Sequence, residues 1–323
     1  MPKDSLTTIL VDLQSRSLRP IDLPERLQVV AMATAGERGF YVLRSDGVDL
    51  MGWDGKLIWS FRPPAQAPPR EGNLLEIRPY STRMNPWQLA TCGQSLIGVQ
   101  PEALYSLDPE TGRSKWVRFP QGKFSGILVS PDGKTVYAAD AWSGGRQIRA
   151  YTSAGELLWT YPLPAECQQL EWQVFDSGLA LAPDPATSNE VSIVDQGGKP
   201  KGSITVKKSG SNYYSLAAAS GVLLVATTDM VSAYDPATGE LLWRLESEGQ
   251  RKGSYWYGYK FDQRGITEYQ GLVIIRDYRG VGAYHPRTGK PQWFFPTPTL
   301  YLEPGPKLLY AVTSSGLFAL ANP

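Results

Sequence analysis

Histidine and cysteine are nearly absent from this chain, and their scarcity removes several kinds of chemistry. There is one histidine, His285, and there are two cysteines, Cys92 and Cys167, without a Cys-x-x-Cys spacing. His285 stands where a recurring turn otherwise has aspartate, so we assign it a capping or surface role. No histidine then remains for a Ser-His-Asp or Cys-His arrangement or for a multi-histidine metal site. We expect both cysteines to be small buried residues.

Charge of one sign and long apolar runs are lacking as well. The chain has 32 Lys and Arg against 31 Asp and Glu, a formal net charge of +1, which gives no general attraction to nucleic acid or to an anionic membrane. No uncharged run approaches the length of a membrane-spanning helix, and the first residues contain no signal-peptide core. The sequence as it stands predicts a soluble cytoplasmic protein; a periplasmic or extracellular location fits if a leader was removed.

Helical periodicity and nucleotide-binding motifs are also missing. No stretch repeats its apolar residues at helical spacing, and there is no P-loop and no Gly-x-Gly-x-x-Gly opening a helix. We therefore expect an all-β protein.

One short motif is abundant instead. In YDPATGELLW, residues 234–243, aspartate before proline favours a turn and glycine supplies the positive φ that closes it. The flanking β-branched and aromatic residues suit strands. The motif predicts a strand, a tight turn and a second strand, with Trp243 directed into a buried space.

Variants of this motif recur along the chain. The copies are GWDGKLIW (52–59), LDPETGRSKW (107–116), YTSAGELLW (151–159), YHPRTGKPQW (284–293) and the degenerate VDQGGKPKG (194–202), with Gly202 in place of tryptophan. Their closing positions lie 41 to 57 residues apart, and strand-rich repeats of about 40 to 50 residues predict propeller blades. Two further apolar runs precede each closing strand, so each unit predicts four strands.

The end of the chain suggests how the ring closes. After Trp293 only three short apolar runs remain. A strand from residues 6–12 or 17–23 is expected to complete this last unit, which leaves no open sheet edge. The prediction is a single domain over residues 1–323: a seven-bladed β-propeller of four-stranded antiparallel blades, its last blade closed by the N-terminal strand. Eight blades are the alternative.

The motif, with its aspartate, Thr-Gly turn and tryptophan four residues after the glycine, resembles the repeat of PQQ-like (quinoprotein-type) β-propellers. The resemblance covers nearly the whole chain and extends to propellers of the outer-membrane assembly lipoprotein type, which are scaffolds. It implies that the repeat tryptophans dock between adjacent blades; these are Trp59, Trp116, Trp159, Trp243 and Trp293.

The same resemblance raises the question of a cofactor. Quinoprotein dehydrogenases use an adjacent cysteine pair and a calcium ion, whereas Cys92 and Cys167 are far apart and no residues match the calcium ligands. We therefore expect no PQQ, no other cofactor and no metal.

Three segments break the period: residues 62–88, 207–214 and 247–265. Each lies between a closing strand and the next inner strand, so a ring would gather them on one face. Their aromatic and cationic side chains suit stacking and pairing with acidic groups, although they could equally cover the blades beneath. The candidate contact residues are Arg83, Trp87, Tyr213, Tyr214, Arg251, Lys252, Tyr255, Trp256, Tyr257 and Tyr259.

Two functions remain open at this point. The first is a non-enzymatic binding module that holds a protein, peptide or glycan at this face; nucleic acid is disfavoured by the neutral total charge. The alternative is a lyase or hydrolase type of enzyme acting on a small anionic or sugar-like substrate at the channel mouth, with a carboxylate such as Asp262 or Glu268 as base. Asp108, Asp195 and Asp235 are expected to serve turns instead. No catalytic residue is assigned.

Overall fold

The structure is a computed structural model, and it describes most of the chain. The described residues are 8–12, 17–21, 29–35, 38–44, 46–64, 88–120, 123–140, 146–165, 167, 169–207, 214–227, 230–246, 265–276, 279–299, 301–304, 309–313 and 316–320. In this part of the chain, no helix has the length and apolar character needed to cross a bilayer.

The described residues form consecutive antiparallel sheets, each built from neighbouring strands in chain order. We number the sheets from β3 onward as blades 1 to 7. Blades 1 to 3 are β3–β6 (Val29–Thr34, Phe40–Arg44, Gly47–Met51, Leu57–Phe61), β7–β10 (Gln88–Cys92, Ser95–Gln100, Ala103–Leu107, Ser114–Arg118) and β11–β14 (Gly126–Val129, Thr135–Asp140, Gln147–Thr152, Leu157–Pro162). Blades 4 to 6 are β15–β18 (Leu170–Phe175, Gly178–Pro183, Glu190–Asp195, Pro200–Thr205), β19–β22 (Ser215–Ala219, Val222–Ala226, Met230–Tyr234, Leu241–Glu246) and β23–β26 (Ile266–Tyr269, Leu272–Arg276, Val281–Tyr284, Pro291–Phe295). Blade 7 is β27–β29 (Tyr301–Pro304, Leu309–Thr313, Gly316–Leu320), and β1–β2 is a separate pair (Thr8–Asp12, Ser17–Ile21).

The first strands of blades 2 to 7 lie next to one another. β7 lies against β11, β11 against β15, β15 against β19, β19 against β23, and β23 against β27. Sheets whose innermost strands follow one another in this way are arranged radially, as in a β-propeller. The all-β prediction and the propeller architecture are confirmed.

The predicted closure of the last blade is not found. Blade 7 has three strands, and β1 pairs with β2 rather than with β29. Val11 lies opposite Leu18, so the two stretches considered for the sealing strand pair with each other. Only four residues separate the two strands in the sequence, and pairing segments that lie so close along the chain costs little entropy. Among the described residues, the N-terminal strand therefore does not complete blade 7, and the seven-blade count is not confirmed.

The hydrophobic core is divided among the interfaces between blades. In β20, Leu223 and Val225 face blade 4, whereas Leu224 and Ala226 face blade 6. Successive strand residues point to opposite sides of a sheet, so an apolar middle strand supplies two interfaces at once. This explains why middle strands such as VLLVA are continuously apolar.

A repeated contact joins the outer strand of one blade to the next blade, and we call it the tryptophan lock. Each indole covers the glycine of the motif turn in the next blade. The indole N–H donates a hydrogen bond to the carbonyl of the second residue of that turn. The four locks are Trp59 on Gly112 and Pro109 O (3.0 Å), Trp116 on Gly155 and Ser153 O (3.0 Å), Trp159 on Gly198 and Gln196 O (2.7 Å), and Trp243 on Gly289 and Pro286 O (2.6 Å). A methyl group added at any of these glycines would lie 2.6 or 2.7 Å from the indole, so only glycine fits. Trp293 packs against the core between blades 6 and 7.

Candidate functional site

The three segments that break the period occupy equivalent places in the topology. They connect β6 to β7, β18 to β19, and β22 to β23, each running from an outer strand to the next inner strand. Because strands alternate in direction within a blade, all such connections begin and end on one face, where the turns between second and third strands also lie. We call it the insertion face; the tryptophan locks lie towards the opposite face.

Most of the candidate contact residues lie outside the described residues. These are Arg83, Trp87, Tyr213, Arg251, Lys252, Tyr255, Trp256, Tyr257 and Tyr259. Their role as contacts stays a prediction, and the topology places the strand ends that flank them on the insertion face.

Tyr214 is the one candidate contact residue that is described, and it belongs to the core. Its side chain is fully buried in the cluster between blades 4 and 5, and its hydroxyl donates to the Glu190 carbonyl at 3.2 Å. Burial, with the charges of Glu171 and Glu190, raises the pKa of Tyr214 well above its usual value, so the phenol stays neutral. Tyr214 anchors the end of a connection and is not available to a ligand.

A charged network lies on the insertion face of blade 1. The Asp49 carboxylate is nearly buried; it accepts a hydrogen bond from the Ser60 hydroxyl at 2.7 Å and pairs with Arg62 at 2.6 Å and Arg44 at 3.5 Å. Asp46, in the turn before β5, pairs with the same two arginines. Burial raises the pKa of Asp49, but the hydrogen bonds from Arg62 and Ser60 and the charges of Arg62 and Arg44 outweigh it and leave the pKa below its ordinary value. The network fixes Arg62, the first residue of the connection to blade 2.

Asp49→Asn tests this network through the pH dependence of stability. An aspartate whose pKa is lower in the folded state stabilises the protein above the unfolded pKa, and that stabilisation is lost as the pH falls through the folded pKa. We expect the variant to lose about 1–3 kcal/mol near neutral pH, with the deficit shrinking below the ordinary value of 3.8. Urea unfolding across this range measures it. Asp46→Asn, at an exposed partner of the same arginines, is the control, and a deficit that does not change with pH would contradict the assignment.

A second charged pair is more deeply buried on the same face. The Asp140 side chain, at the end of β12, is fully buried, and Arg149 of β13 reaches it at 3.5 Å. Arg149 also donates to the Phe119 carbonyl at 3.2 Å, in the connection from blade 2. The pair therefore ties two blades together beneath the insertion face.

Reasoning from the sequence missed both networks, although a signal was present. In each four-stranded blade, one residue of the third strand lies opposite the repeat tryptophan or its replacement. The position immediately before this third-strand residue is Asp49 in blade 1 and Arg149 in blade 3. An alignment of the repeats shows charge at this otherwise apolar or small position, as in GVDLM and QIRAYT.

The turn aspartates have the backbone partners that the motif predicts. Asp108 accepts from the Glu110 and Thr111 N–H groups, Asp235 from that of Ala237, and Asp195 from that of Lys199. The His285 Nδ1 accepts from the Arg287 N–H at 3.3 Å in the same geometry. These side chains are therefore parts of turns.

Of the two carboxylates named for the enzymatic alternative, only Glu268 lies within the described residues. Asp262 lies outside the described residues. Glu268 accepts a hydrogen bond from the Ser220 N–H at 2.5 Å, near the turn that joins β19 to β20, on the face opposite the insertions. Among the described residues, no group of histidine, cysteine and carboxylate side chains has the arrangement of a metal site.

Comparison with known proteins shows what the chain is similar to. The family model of PQQ-like repeats described as "Outer membrane protein assembly factor BamB" matches residues 100–194 and 176–316. No curated protein matches the chain.

Several solved structures share the fold. BamB from Moraxella catarrhalis is 18% identical, with 87% of this chain and 80% of that chain covered and a TM-score of 0.52. The computationally designed Ika8 protein is 13% identical (92% and 84% covered, TM-score 0.60), and Saccharomyces cerevisiae Sqt1 is 11% identical (88% and 81%, TM-score 0.58). At such identities the likeness concerns the fold alone.

Proposed function

Because the chain belongs to the PQQ-like repeat family described as outer membrane protein assembly factor BamB, we propose that it is a non-enzymatic scaffold that binds another protein through its insertion face. The observation that carries the proposal is topological. The three segments that break the repeat all leave an outer strand and return to the next inner strand, and therefore share one face of a rigid propeller. Loops held by a rigid framework are where binding residues concentrate.

The composition of these segments suits a protein partner. Residues 251–260, RKGSYWYGYK, combine one tryptophan and three tyrosines with arginine and lysine. Tryptophan, tyrosine and arginine dominate the binding energy of protein interfaces, because they bury large areas and still offer polar groups. The cations favour a partner segment that carries carboxylates, and peptides or glycans with acidic groups are narrower forms of the same proposal.

The charged networks beneath the insertion face support this function. Two ion-pair networks hold the first residues of the connections that leave blades 1 and 2. They are Asp49 with its two arginines, and Asp140 with Arg149. A preorganised surface loses less conformational entropy on binding. We extend the proposal to the whole chain: one domain over residues 1–323, with blades 1 to 7 forming one ring.

The test replaces the central aromatics of the insertion face. Trp256→Ala with Tyr257→Ala is expected to weaken binding by about 100-fold or more, as for the loss of interface hot spots, while the Tm changes little. The partner is first captured on immobilised wild-type protein, identified by mass spectrometry, purified and titrated by interferometry.

Trp53→Ala provides the matched control. Trp53 is 37% exposed and lies in the turn between β5 and β6, on the opposite face, so its loss should leave partner affinity unchanged. Unaltered affinity in the Trp256 and Tyr257 variant, or equal losses in both proteins, would overturn the proposal.

A further inference from the structure

The interface between blades 4 and 5 has the receiving half of a tryptophan lock without the tryptophan. Gly202 of β18 lies opposite Ile193, at the position that Trp159 and Trp243 hold in their own blades. Gly202 is exposed, and a Cβ added there would meet no atom of the described residues within 4 Å. The outer strand of blade 4 therefore leaves open space where its equivalents place an indole.

The receiving turn in blade 5 is intact. Gly239 has a φ of +76°, within the +65° to +84° of the four turn glycines that are covered by indoles. Its N–H donates to the Asp235 carbonyl at 2.8 Å, as the Gly289 N–H does to His285 at 2.9 Å. Pro236 occupies the place of Pro109 and Pro286, whose carbonyls accept the indole N–H in their locks. Blade 5 thus offers the same glycine surface and the equivalent carbonyl.

The interface closes over this position only in part. A Cβ at Gly239 would find Ile204 Cγ1 at 3.4 Å and the Ser203 carbonyl oxygen at 3.7 Å, whereas in the locks the indole lies at 2.6 or 2.7 Å. Ile204 and Tyr214 join the core that holds blades 4 and 5 together, so the interface does not need the lock for its integrity. Pro236 is buried and Gly239 is half-buried, whereas Gly202, Ser203, Ala237 and Thr238 are exposed, so a ligand reaches the position from the rim.

We propose that the interface between blades 4 and 5 is a docking site for a tryptophan side chain supplied by another protein. The four locks define the occupant: its ring covers Gly239 and its N–H donates to the Pro236 carbonyl. No other side chain combines a flat apolar surface of this size with a single ring N–H donor. The site lies away from the insertion face and is independent of the function proposed for that face.

The probe for this site is 5-fluoroindole, observed by fluorine NMR during titration of the full-length protein. We expect one saturable site with a Kd on the order of 1 mM, as suits a ligand of this size without a tether. A Gly-Gly-Trp-Gly-Gly peptide should displace the probe, and the same peptide with alanine at the centre should not. The absence of saturable binding to the wild-type protein overturns the proposal.

Three variants locate the site. Gly202→Trp supplies the indole from within the chain and should abolish probe binding. Gly202→Leu fills the same space with a smaller side chain and should do so as well, which keeps the test decisive if the tryptophan variant does not fold. Trp243→Gly opens a matched site between blades 5 and 6 and should raise the stoichiometry from one to two. Binding that persists in both Gly202 variants would place the probe elsewhere and contradict the assignment.

Two variants distinguish the tryptophan-docking site from the binding site proposed for the insertion face. The variant with Trp256→Ala and Tyr257→Ala should bind 5-fluoroindole as the wild-type protein does. Gly202→Trp should retain the affinity for the partner of the insertion face. Loss of 5-fluoroindole binding in the first variant, or of partner affinity in Gly202→Trp, would show that the two sites are not independent.

Discussion

Trp243→Ala is expected to destabilise the protein by about 3–5 kcal/mol, because a large aromatic side chain is removed from a packed interface that cannot fully close. The indole is 8% exposed, packs in the core between blades 5 and 6, and donates a hydrogen bond to Pro286. For a chain of 323 residues this corresponds to a fall in Tm of about 4–7 °C. Urea unfolding followed by circular dichroism measures the free energy, and calorimetry measures the Tm.

A double-mutant cycle with Gly289 isolates the lock. Gly289→Ala alone should be destabilising, since its methyl group would lie 2.7 Å from Trp243 Cγ and its φ is +65°. In the Trp243→Ala background the ring is gone and only the close approach of Cβ at 3.0 Å and the backbone strain remain. The double variant should therefore lose less stability than the sum of the two single losses. Trp53→Ala, at a half-exposed tryptophan outside the locks, should cost clearly less. Strict additivity of Trp243→Ala and Gly289→Ala would show that the two residues do not form a unit.

Arg149→Met is expected to produce a loss of similar size, about 3–5 kcal/mol, by a different mechanism. The substitution keeps much of the apolar stem but removes the cation that faces the fully buried Asp140 carboxylate. Removing one partner of a buried pair leaves a charge in a medium that solvates it poorly. It also removes the donor to the Phe119 carbonyl, so the contact between blades 2 and 3 should loosen locally. Hydrogen exchange of the Ala150 and Tyr151 amides, together with urea unfolding, reports both effects.

Removing the second charge provides the control. Asp140→Leu combined with Arg149→Met replaces the pair by apolar side chains and should recover much of the stability lost in Arg149→Met. Equal stability of the single and double variants would mean that the Asp140 charge is not the source of the loss. Arg38→Met, at an arginine whose pair with Glu110 is exposed, should change stability by less than about 1 kcal/mol.

The repeat motif was sufficient to predict most of the fold. The turn from Tyr234 to Trp243, counted along the chain, identified the outer strands, and the resemblance to PQQ-like repeats placed the repeat tryptophans between adjacent blades. This succeeded because turn chemistry and strand alternation are local properties. The closure of blade 7 was not predictable in the same way, since residues 8–12 can pair with a distant strand or with residues 17–21. The choice depends on whether long-range packing in blade 7 or a short hairpin is the more stable arrangement.

The face on which the period-breaking connections begin and end was predictable, whereas the contact residues in them stay a prediction. That face follows from the connectivity of strands, which the spacing of the motif already contains. Tyr214 was misassigned because its neighbour Tyr213 and the lysines before it have the composition of a surface loop, while the structure places the Tyr214 ring in the core. Asp49 and Arg149 were overlooked because one charged residue within an apolar strand is noticed only when the blades are aligned by register.

The alternation in β20 constrains how a protein of this kind can change in length during evolution. Leu223 and Leu224 serve opposite interfaces, so inserting a single amino acid into this strand would send every later side chain to the wrong neighbour and disrupt two cores together. Insertions and deletions are tolerated best in the connections between strands. The blades are therefore held to a nearly fixed length by the packing on both of their sides, and the connections are left as the places where a lineage can gain or lose sequence and so acquire new binding partners.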